Sequence, residues 1–140
     1  MSYNLAAARA ALEQVVADWN QGGAQWDAFA VARTYTDDGL LFGGRAGHAV
    51  GRAAIEAYFA SYNGLIHAGN MTTHGIELRL LAPDCVLAQG MVDFAFTLAG
   101  DAHTNSTLRA SLVLRKEPDR WRIAAHHFSP TPVSPPLGGN

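Results

Sequence analysis

The run WRIAAHHFS, residues 121–129, has the composition of a half-buried β-strand and carries two adjacent histidines near its end. A second apolar run, Leu108 to Arg115, precedes it across the polar turn Lys116-Glu117-Pro118-Asp119. Two apolar runs joined by a short polar turn predict a β-hairpin. Because helix-like segments come before this hairpin, the pattern predicts a curved sheet that wraps around helices and leaves a pocket between them.

Helices are predicted in the first half of the chain. Apolar residues recur there at three- and four-residue steps, which is the spacing of one face of an α-helix. Gly22-Gly23 and Asn63-Gly64 are stop signals, since glycine and asparagine tolerate the backbone conformation that ends a helix. The predicted elements are a helix up to about residue 20, a second over 26–35, a short strand over 40–42 and a third helix over 52–63.

From about Met71 the apolar spacing changes to two, which is typical of half-buried strands. Helices followed by an antiparallel meander make an α+β fold. We expect a single domain over residues 1–129 and a Pro/Gly-rich tail over 130–140. The predicted strands are Thr72–Leu81, Val86–Thr97, Asn105–Arg115 and Trp121–Phe128.

The composition argues against several functional classes. The chain has 140 residues, 49% of them hydrophobic, which matches one domain with a substantial core. Its formal net charge is -2, from 10 basic and 12 acidic residues without a run of one sign, so no nucleic-acid partner is expected. No apolar run approaches the roughly 20 residues of a membrane helix, and no secretion signal is evident. We therefore expect a cytoplasmic protein without a membrane partner. The single cysteine, Cys85, leaves no intrachain disulfide.

Four short motifs accompany this order of elements. The motifs are Trp19-Asn20, Tyr35-Thr36-Asp37-Asp38, Gly51-Arg52 and Trp121-x-Ile123-x-x-x-His127-x-Ser129-x-x-Pro132. Together they resemble the NTF2-like superfamily over nearly the whole chain, and the last is similar to the closing strand of the association domain of calcium/calmodulin-dependent kinase II.

The resemblance implies a cone, in which a strongly curved antiparallel sheet folds around helices and encloses a cavity. It also implies a homodimer made through the outer face of the sheet. SnoaL-like and ketosteroid-isomerase-like relatives include isomerases, cyclases and dehydratases, while other members only bind or assemble, so membership does not decide the chemistry. A ketosteroid isomerase would have a catalytic carboxylate after the first short strand and a tyrosine on helix one. This chain has Phe42-Gly43-Gly44 and Val15 there, which disfavours a steroid-type proton shuttle.

Strict alternation sorts the last strand by face. It places His127 with Trp121 on one side and His126 on the other. If the turn pairs Arg115 with Trp121, Arg109 lies opposite His127. We therefore expect His127 to look into the cavity, as a general base or as a donor to an anion. A solvated or backbone-bonded histidine at a strand end is the alternative. His126 is expected on the outer face, at a dimer contact or in solvent.

Arg109 and Asp93 complete the expected catalytic group. Arg109 interrupts an apolar strand, so its charge would need a partner if it were buried. A turn centred near Asp101 would make Asp93 its cross-strand neighbour, on the face that holds Gln89 and Ser111. Such a pair could hold a hydroxyl or carboxylate ligand, with the guanidinium stabilising charge on an oxygen. A structural or exposed ion pair is the alternative.

Aromatic side chains from the helices supply the expected cavity wall. They bring phenol groups and apolar rings to a ligand, although each of them also suits a core position. His74 is also expected to reach a ligand, because it lies at the start of the predicted sheet, beside an expected loop. The expected ligand-binding residues are Trp19, Tyr35, Tyr58, Phe59, Tyr62, His74, Gln89 and Ser111.

Neither a metal nor a cofactor is predicted. The chain has no closely spaced histidine pair with a nearby carboxylate and no second cysteine. Two functions stay open. One is a cofactor-free isomerase, cyclase or dehydratase that acts on a small oxygen-bearing molecule by proton transfer. The other is a non-catalytic ligand-binding or oligomerisation module. In that case association would use the face with Ala110, Leu112, Leu114, Ala124 and Phe128.

Overall fold

In the computed structural model, the described part of the chain is residues 2–138, and side chains are described from Leu5 onward. Residues 139 and 140 of the predicted tail lie outside this part. None of the helices in residues 2–138 is long and apolar enough to span a membrane. The helices are α1 (Ser2–Gly23), α2 (Ala28–Ala32) and α3 (Arg52–Ala60), and a 3-10 turn covers Ala99–Asp101.

Two of the predicted helices end earlier than expected. Asp27 caps α2, because its carboxylate accepts a hydrogen bond from the backbone N–H of Ala30. The helix then stops at Ala32, and Tyr35 begins a strand that pairs in parallel with the last strand. Helix α3 stops at Ala60. Helix α1 is amphipathic as predicted, with a buried stripe of Ala8, Leu12, Val15 and Trp19.

A single six-stranded sheet packs against the helices. Its order is β2-β1-β6-β5-β4-β3. Strands β3 to β6 form the predicted antiparallel meander, but β1 runs parallel to β6, so the sheet is mixed and not wholly antiparallel. The sheet is curved and not closed, and the fold is α+β as predicted. The strands are β1 (Tyr35–Phe42), β2 (Ala49–Val50), β3 (Ile66–Ala82), β4 (Cys85–Leu98), β5 (His103–Lys116) and β6 (Trp121–Ser129).

The inner face of the sheet carries the core. On β5 this face presents Ala110, Leu112 and Leu114, all of which are buried, and Phe128 on β6 is buried beside them. The assembly hypothesis placed these residues on an association surface, and that placement is wrong, because they are buried within the chain. They belong to the hydrophobic core, since the more apolar face of each strand turns away from water.

One extra residue in β6 changes the alternation of the strand. Leu114 pairs with Ile123, whereas Val113 pairs with Ala125, so Ala124 has no partner on β5. This arrangement is a β-bulge, in which one strand carries an additional residue. Every side chain after the bulge therefore points to the face opposite to the one that strict alternation predicts.

The bulge reverses the two histidines. His126 points into the core, where it is 2% exposed. His127 is exposed on the outer face of the sheet. The expectation that His127 looks into the cavity and His126 away from it is therefore wrong. The cause is a local irregularity that strict alternation cannot represent.

The turn before β6 adds a second shift. It pairs Trp121 with Lys116, one residue later than expected. Together with the bulge, this displaces the register by two residues, so that Ser111, not Arg109, lies opposite His127. A displacement of two keeps Arg109, Ser111 and His127 on one face, but that face is the outer one.

Candidate functional site

An aromatic cavity of about 140 Å³ lies between the helices and the inner face of the sheet. Strand β5 contributes Leu108 and Ser106 to its wall. The other lining residues are mostly aromatic, so the cavity suits an apolar molecule. Prominent among them are Trp19, Trp26, Tyr58, Phe59, Tyr62 and Phe128.

The aromatic wall is held by edge-to-face packing. The ring centroids of Trp19 and Phe59 lie 5.9 Å apart at 76°. Those of Trp26 and Phe59 lie 6.0 Å apart at 72°. The indole N–H of Trp26 donates to the Phe59 carbonyl at 3.1 Å. These contacts are in the preferred range for aromatic pairs, so they fix the ring positions.

Polar groups gather at the side of the cavity where Gly44 and two tyrosines lie. The backbone N–H of Gly44 donates to the Tyr58 hydroxyl at 2.7 Å. The guanidinium of Arg45 stacks over the Tyr62 ring, 4.3 Å from its centroid, and donates to the Ser61 hydroxyl at 3.1 Å. Burial raises the pKa of Tyr58, so its phenol stays neutral at physiological pH. This side of the cavity therefore presents a neutral phenol hydroxyl.

Behind the cavity wall lies a buried hydrogen-bonded pair, Tyr35 and His126. The Tyr35 hydroxyl oxygen is 2.8 Å from Nδ1 of His126, and the two rings stack with centroids 5.9 Å apart. Burial raises the pKa of Tyr35. Burial also lowers the pKa of His126 to about 3, and the neighbouring His127 adds to that effect. Both side chains are therefore neutral at pH 7.

The pair is separated from the cavity by one layer of rings. Phe59 packs on Tyr35 with centroids 5.8 Å apart, and Phe128 packs on His126 at 4.9 Å. Phe59 and Phe128 both line the cavity. These two rings therefore lie between the cavity and the Tyr35–His126 pair.

Two buried nitrogens near the cavity lack hydrogen-bond partners. Within the described residues, neither Nε2 of His126 nor Nε1 of Trp19 is bonded to any acceptor or donor. More than nine in ten buried polar groups in proteins are paired, because an unpaired one costs about 1–3 kcal/mol. Two unpaired nitrogens beside the same cavity therefore call for an explanation.

Arg52 fixes the strand that carries Tyr35. Its guanidinium donates to the Tyr35 carbonyl from Nε at 3.0 Å and from Nη2 at 2.7 Å. Its Nη1 forms an ion pair with Asp37. The backbone N–H of Ile123 donates to the Thr34 carbonyl at 2.8 Å, just before Tyr35. Strand β1 is thus anchored to α3 and β6 at the point where its tyrosine enters the core.

Asp93 lies on the outer face of the sheet. The Thr107 hydroxyl donates to it at 2.5 Å, and Nε2 of His74 lies 3.1 Å from its other oxygen. The bond from Thr107, followed by that from His74, lowers the pKa of Asp93. The expected pair of Asp93 with Arg109 does not form, because Arg109 lies opposite Met91 and Asp93 lies opposite Thr107.

Arg109 and His127 lie near each other, but outside the cone. They border a shallow groove of about 360 Å³ together with Gln89 and Ser111, and Gln89 donates to the Ser111 hydroxyl at 2.8 Å. The sequence therefore grouped these side chains correctly and assigned them to the wrong face. The residues expected at the cavity that lie on the outer face are Asp93, Arg109, His127, His74, Gln89 and Ser111.

Four expected ligand-binding residues do line the cavity, namely Trp19, Tyr58, Phe59 and Tyr62. Tyr35 is buried next to them but contacts His126 instead of the cavity itself. Their roles toward a ligand stay predictions, since only their positions are determined.

Sequence reasoning missed His126. A usable signal was present in β5, where Ala110, Leu112 and Leu114 are more apolar than the alternate set that contains Arg109. Choosing the more apolar set as the inner face would have placed Arg109 outside. It would not have located the bulge, so His126 would still have been ambiguous.

No metal centre is evident in residues 2–138, where no three histidine, cysteine, aspartate or glutamate side chains come together in a way that could hold an ion. The candidate site therefore rests on the aromatic cavity and on the Tyr35–His126 pair behind it.

Comparison with known proteins identifies the same architecture elsewhere. A family model described as a SnoaL-like domain matches residues 12–134. A candidate calcium/calmodulin dependent protein kinase II association domain from Xanthomonas campestris has a TM-score of 0.77 and 26% identity, over 89% of this chain and 86% of that one. No curated protein matches the chain significantly.

Two further solved structures share the fold at lower identity. A candidate scytalone dehydratase from Novosphingobium aromaticivorans has a TM-score of 0.76 and 12% identity, over 94% of this chain and 89% of that one. A ketosteroid isomerase-like protein from Erwinia carotovora atroseptica has a TM-score of 0.67 and 24% identity, over 90% of this chain and 96% of that one. These likenesses place the chain among NTF2-like folds.

Proposed function

The chain belongs to the SnoaL-like domain family, and we propose that its aromatic cavity binds a small, single-ring molecule that carries an oxygen function. In this proposal the ligand reaches Nε2 of His126 past the ring of Phe128. The reaction is a proton transfer that needs no cofactor, as in an isomerisation, a cyclisation or a dehydration. His126 contacts the ligand oxygen in place of His127, which lies on the outer face, and it does so as a hydrogen-bonding group and not as the general base.

The observation that carries the proposal is the unpaired Nε2 of His126. A buried nitrogen without a partner destabilises the ligand-free protein. A ligand oxygen that bonds to it removes this penalty, and the unpaired indole N–H of Trp19 lies in the same core. Binding sites commonly keep such polar atoms unsatisfied until the ligand arrives, because the few polar groups of an apolar pocket orient the ligand.

The size of the cavity sets the size of the ligand. Apolar cavities of about 150 Å³ hold one benzene-sized molecule. The volume here is about 140 Å³. A six-membered ring with one short substituent therefore fits, whereas a steroid does not fit without a large rearrangement of the wall.

Two neighbours of this fold support the reaction class. One is named as a candidate scytalone dehydratase and one as ketosteroid isomerase-like. The first name is that of a dehydratase and the second that of an isomerase-like protein, which are two of the reaction types proposed here. A neutral imidazole in a dry site can stabilise charge on such an oxygen, since electrostatic interactions are stronger where water is excluded.

A cavity-filling variant tests the proposal. Leu108→Trp places an indole in the cavity wall, and Leu65→Trp makes the same change at a residue that is 57% exposed and outside the cavity. Binding of benzaldehyde, cyclohexanone and phenol is measured by calorimetry. We expect at least one of the three to bind the wild type and Leu65→Trp equally, and to lose most of its affinity for Leu108→Trp. Equal affinity for both variants would show that the ligand binds elsewhere.

A homodimer made through the outer face of the sheet is the second proposal. An apolar groove of about 260 Å³ crosses β1, β6 and β5, between Phe42, Val113 and Ala125. Phe42 is 44% exposed and Leu40 is 40% exposed. A second copy of the chain would cover these side chains, which favours assembly as a function beside ligand binding.

A further inference from the structure

Two polar side chains, Tyr35 and His126, form a hydrogen-bonded series in the core. Their link is a hydrogen bond of 2.8 Å between the Tyr35 hydroxyl oxygen and Nδ1 of His126. The indole N–H of Trp19 has no hydrogen-bond partner among the described residues, so the series ends at the Tyr35 oxygen.

The series has a direction, because the Tyr35 hydroxyl has one hydrogen-bond partner among the described residues, Nδ1 of His126. A single proton lies between the Tyr35 oxygen and Nδ1 of His126. If Tyr35 donates that proton, the only donor of its hydroxyl group is paired with Nδ1. If Nδ1 donated instead, the hydroxyl proton of Tyr35 would have no acceptor, since Nδ1 is its only hydrogen-bond partner among the described residues.

The first arrangement leaves fewer buried groups unpaired, so it is the more stable one. A neutral imidazole has one N–H. When Nδ1 accepts from Tyr35, that N–H must be at Nε2. The unpaired nitrogen at the end of the series is then a hydrogen-bond donor in apolar surroundings.

From this geometry we propose that Nε2 of His126 carries the imidazole proton and donates a hydrogen bond to an acceptor oxygen of the ligand. The inference rests on the proposed function, because the cavity supplies the ligand. It narrows the ligand class to ring compounds with a carbonyl, ether or hydroxyl oxygen. Tyr35 is a positioning residue, since it acts on the ligand only through the tautomer of His126.

The tautomer is measured without any ligand. Long-range proton–nitrogen correlation spectra of ¹⁵N-labelled protein at pH 7 separate protonated from unprotonated ring nitrogens, and the His126 signals are assigned by their loss in His126→Gln. We expect Nε2 of His126 to be protonated in the wild type and in the control Tyr58→Phe. In Tyr35→Phe we expect the Nδ1-protonated form to become populated. A wild-type imidazole protonated at Nδ1 would overturn the inference, whatever binds in the cavity.

The ligand class is measured with two molecules of nearly equal shape. Benzaldehyde has an acceptor oxygen where styrene has a methylene group. We expect the ratio of their affinities, benzaldehyde over styrene, to be about tenfold higher for the wild type than for His126→Leu, which is the range of one neutral hydrogen bond. If His126→Leu does not fold, the double variant Tyr35→Phe/His126→Leu replaces it, because it leaves no buried hydroxyl without a partner. The affinity ratio of benzaldehyde over styrene is then compared between the wild type and the double variant.

The outcomes separate the two proposals. An unchanged ratio would overturn the donor role of His126 while leaving a ligand-binding cavity intact. Failure of both compounds to bind the wild type would contradict the proposed function and the ligand class with it, and the tautomer would still be decided by the spectra.

Discussion

The hydroxyl of Tyr35 and Nδ1 of His126 lie 2.8 Å apart in the core, and their hydrogen bond joins β1 to β6. Both residues reach this position through local departures from regular structure. The bulge at Ala124 turns His126 inward. The early end of α2 at Ala32 lets Tyr35 begin a strand beside β6. The result is a neutral pair next to an aromatic cavity, with Nε2 of His126 left unpaired among the described residues.

Removing the Tyr35 hydroxyl tests what the pair contributes to stability. Tyr35→Phe leaves Nδ1 of His126 buried without a partner, so we expect the free energy of unfolding to fall by about 1–3 kcal/mol. Urea unfolding measures the change. The double variant Tyr35→Phe/His126→Leu removes both polar groups. Its free energy of unfolding is expected to fall by less than the sum of the decreases in the two single variants. Additive losses would indicate that the two side chains do not interact.

The buried imidazole makes stability depend on pH in a defined window. The pKa of His126 is lowered from 6.5 to about 3. Below pH 6.5 the unfolded chain therefore binds a proton that the folded protein does not accept until about pH 3. The free energy of unfolding is then expected to fall with decreasing pH by roughly 1 kcal/mol per pH unit across this window, and to be independent of His126 above pH 7.

The contribution of His126 to this pH dependence is isolated by a variant. His126→Gln cannot titrate, so its stability is expected to vary less than that of the wild type between pH 4.5 and pH 6.5. The lowered pKa values of Asp38, Asp93 and Asp119 act below this range, because these carboxylates are protonated only at lower pH. Parallel pH profiles for the wild type and His126→Gln would show that the imidazole already has access to protons in the folded state.

The outer face of the sheet is tested by a charge. Val113→Glu places a carboxylate in the apolar groove of that face, and Val133→Glu makes the same change in the exposed tail. We expect the wild type and Val133→Glu to sediment as dimers and Val113→Glu as a monomer, since an unpaired charge is costly to bury at an interface. A wild-type monomer, or a dimer in all three proteins, would rule out assembly through this groove.

Much of the fold could be predicted from the sequence, because apolar periodicity reports local structure directly. The spacing of Leu12, Val15 and Trp19 identified α1, and the change of period after Met71 identified the meander. The aromatic residues of α1 and α3 were correctly expected at the cavity. Each of these inferences depends on neighbours within one helix or strand.

The segment Thr36-Asp37-Asp38 shows why the rest could not be predicted. Its composition is that of a turn, yet it lies in β1. Its carboxylates are held by distant arginines, Asp37 by Arg52 and Asp38 by Arg115 at 2.8 Å. Pairings over such distances in sequence leave no periodic signal, so the strand was predicted over 40–42 only, whereas β1 begins at Tyr35.

The candidate site failed to appear in the sequence for a related reason. A bulge adds one residue without changing composition, and the adjacent histidines made either alternation plausible. Only the pairing of Val113 with Ala125 and of Leu114 with Ile123 reveals that Ala124 is the extra residue. The polar residues expected in the cavity are thus grouped on the outer face, and His126 is the histidine of the interior.

The most direct test of the proposed site is the effect of a ligand on the ring nitrogens of the two adjacent histidines. ¹⁵N-labelled protein is titrated with benzaldehyde, and the shifts of His126 and His127 are followed in long-range proton–nitrogen spectra. We expect a saturable shift at Nε2 of His126 and none at His127. A saturable shift at His127 with His126 unchanged would contradict a site at His126, because the ligand would then bind on the outer face of the sheet.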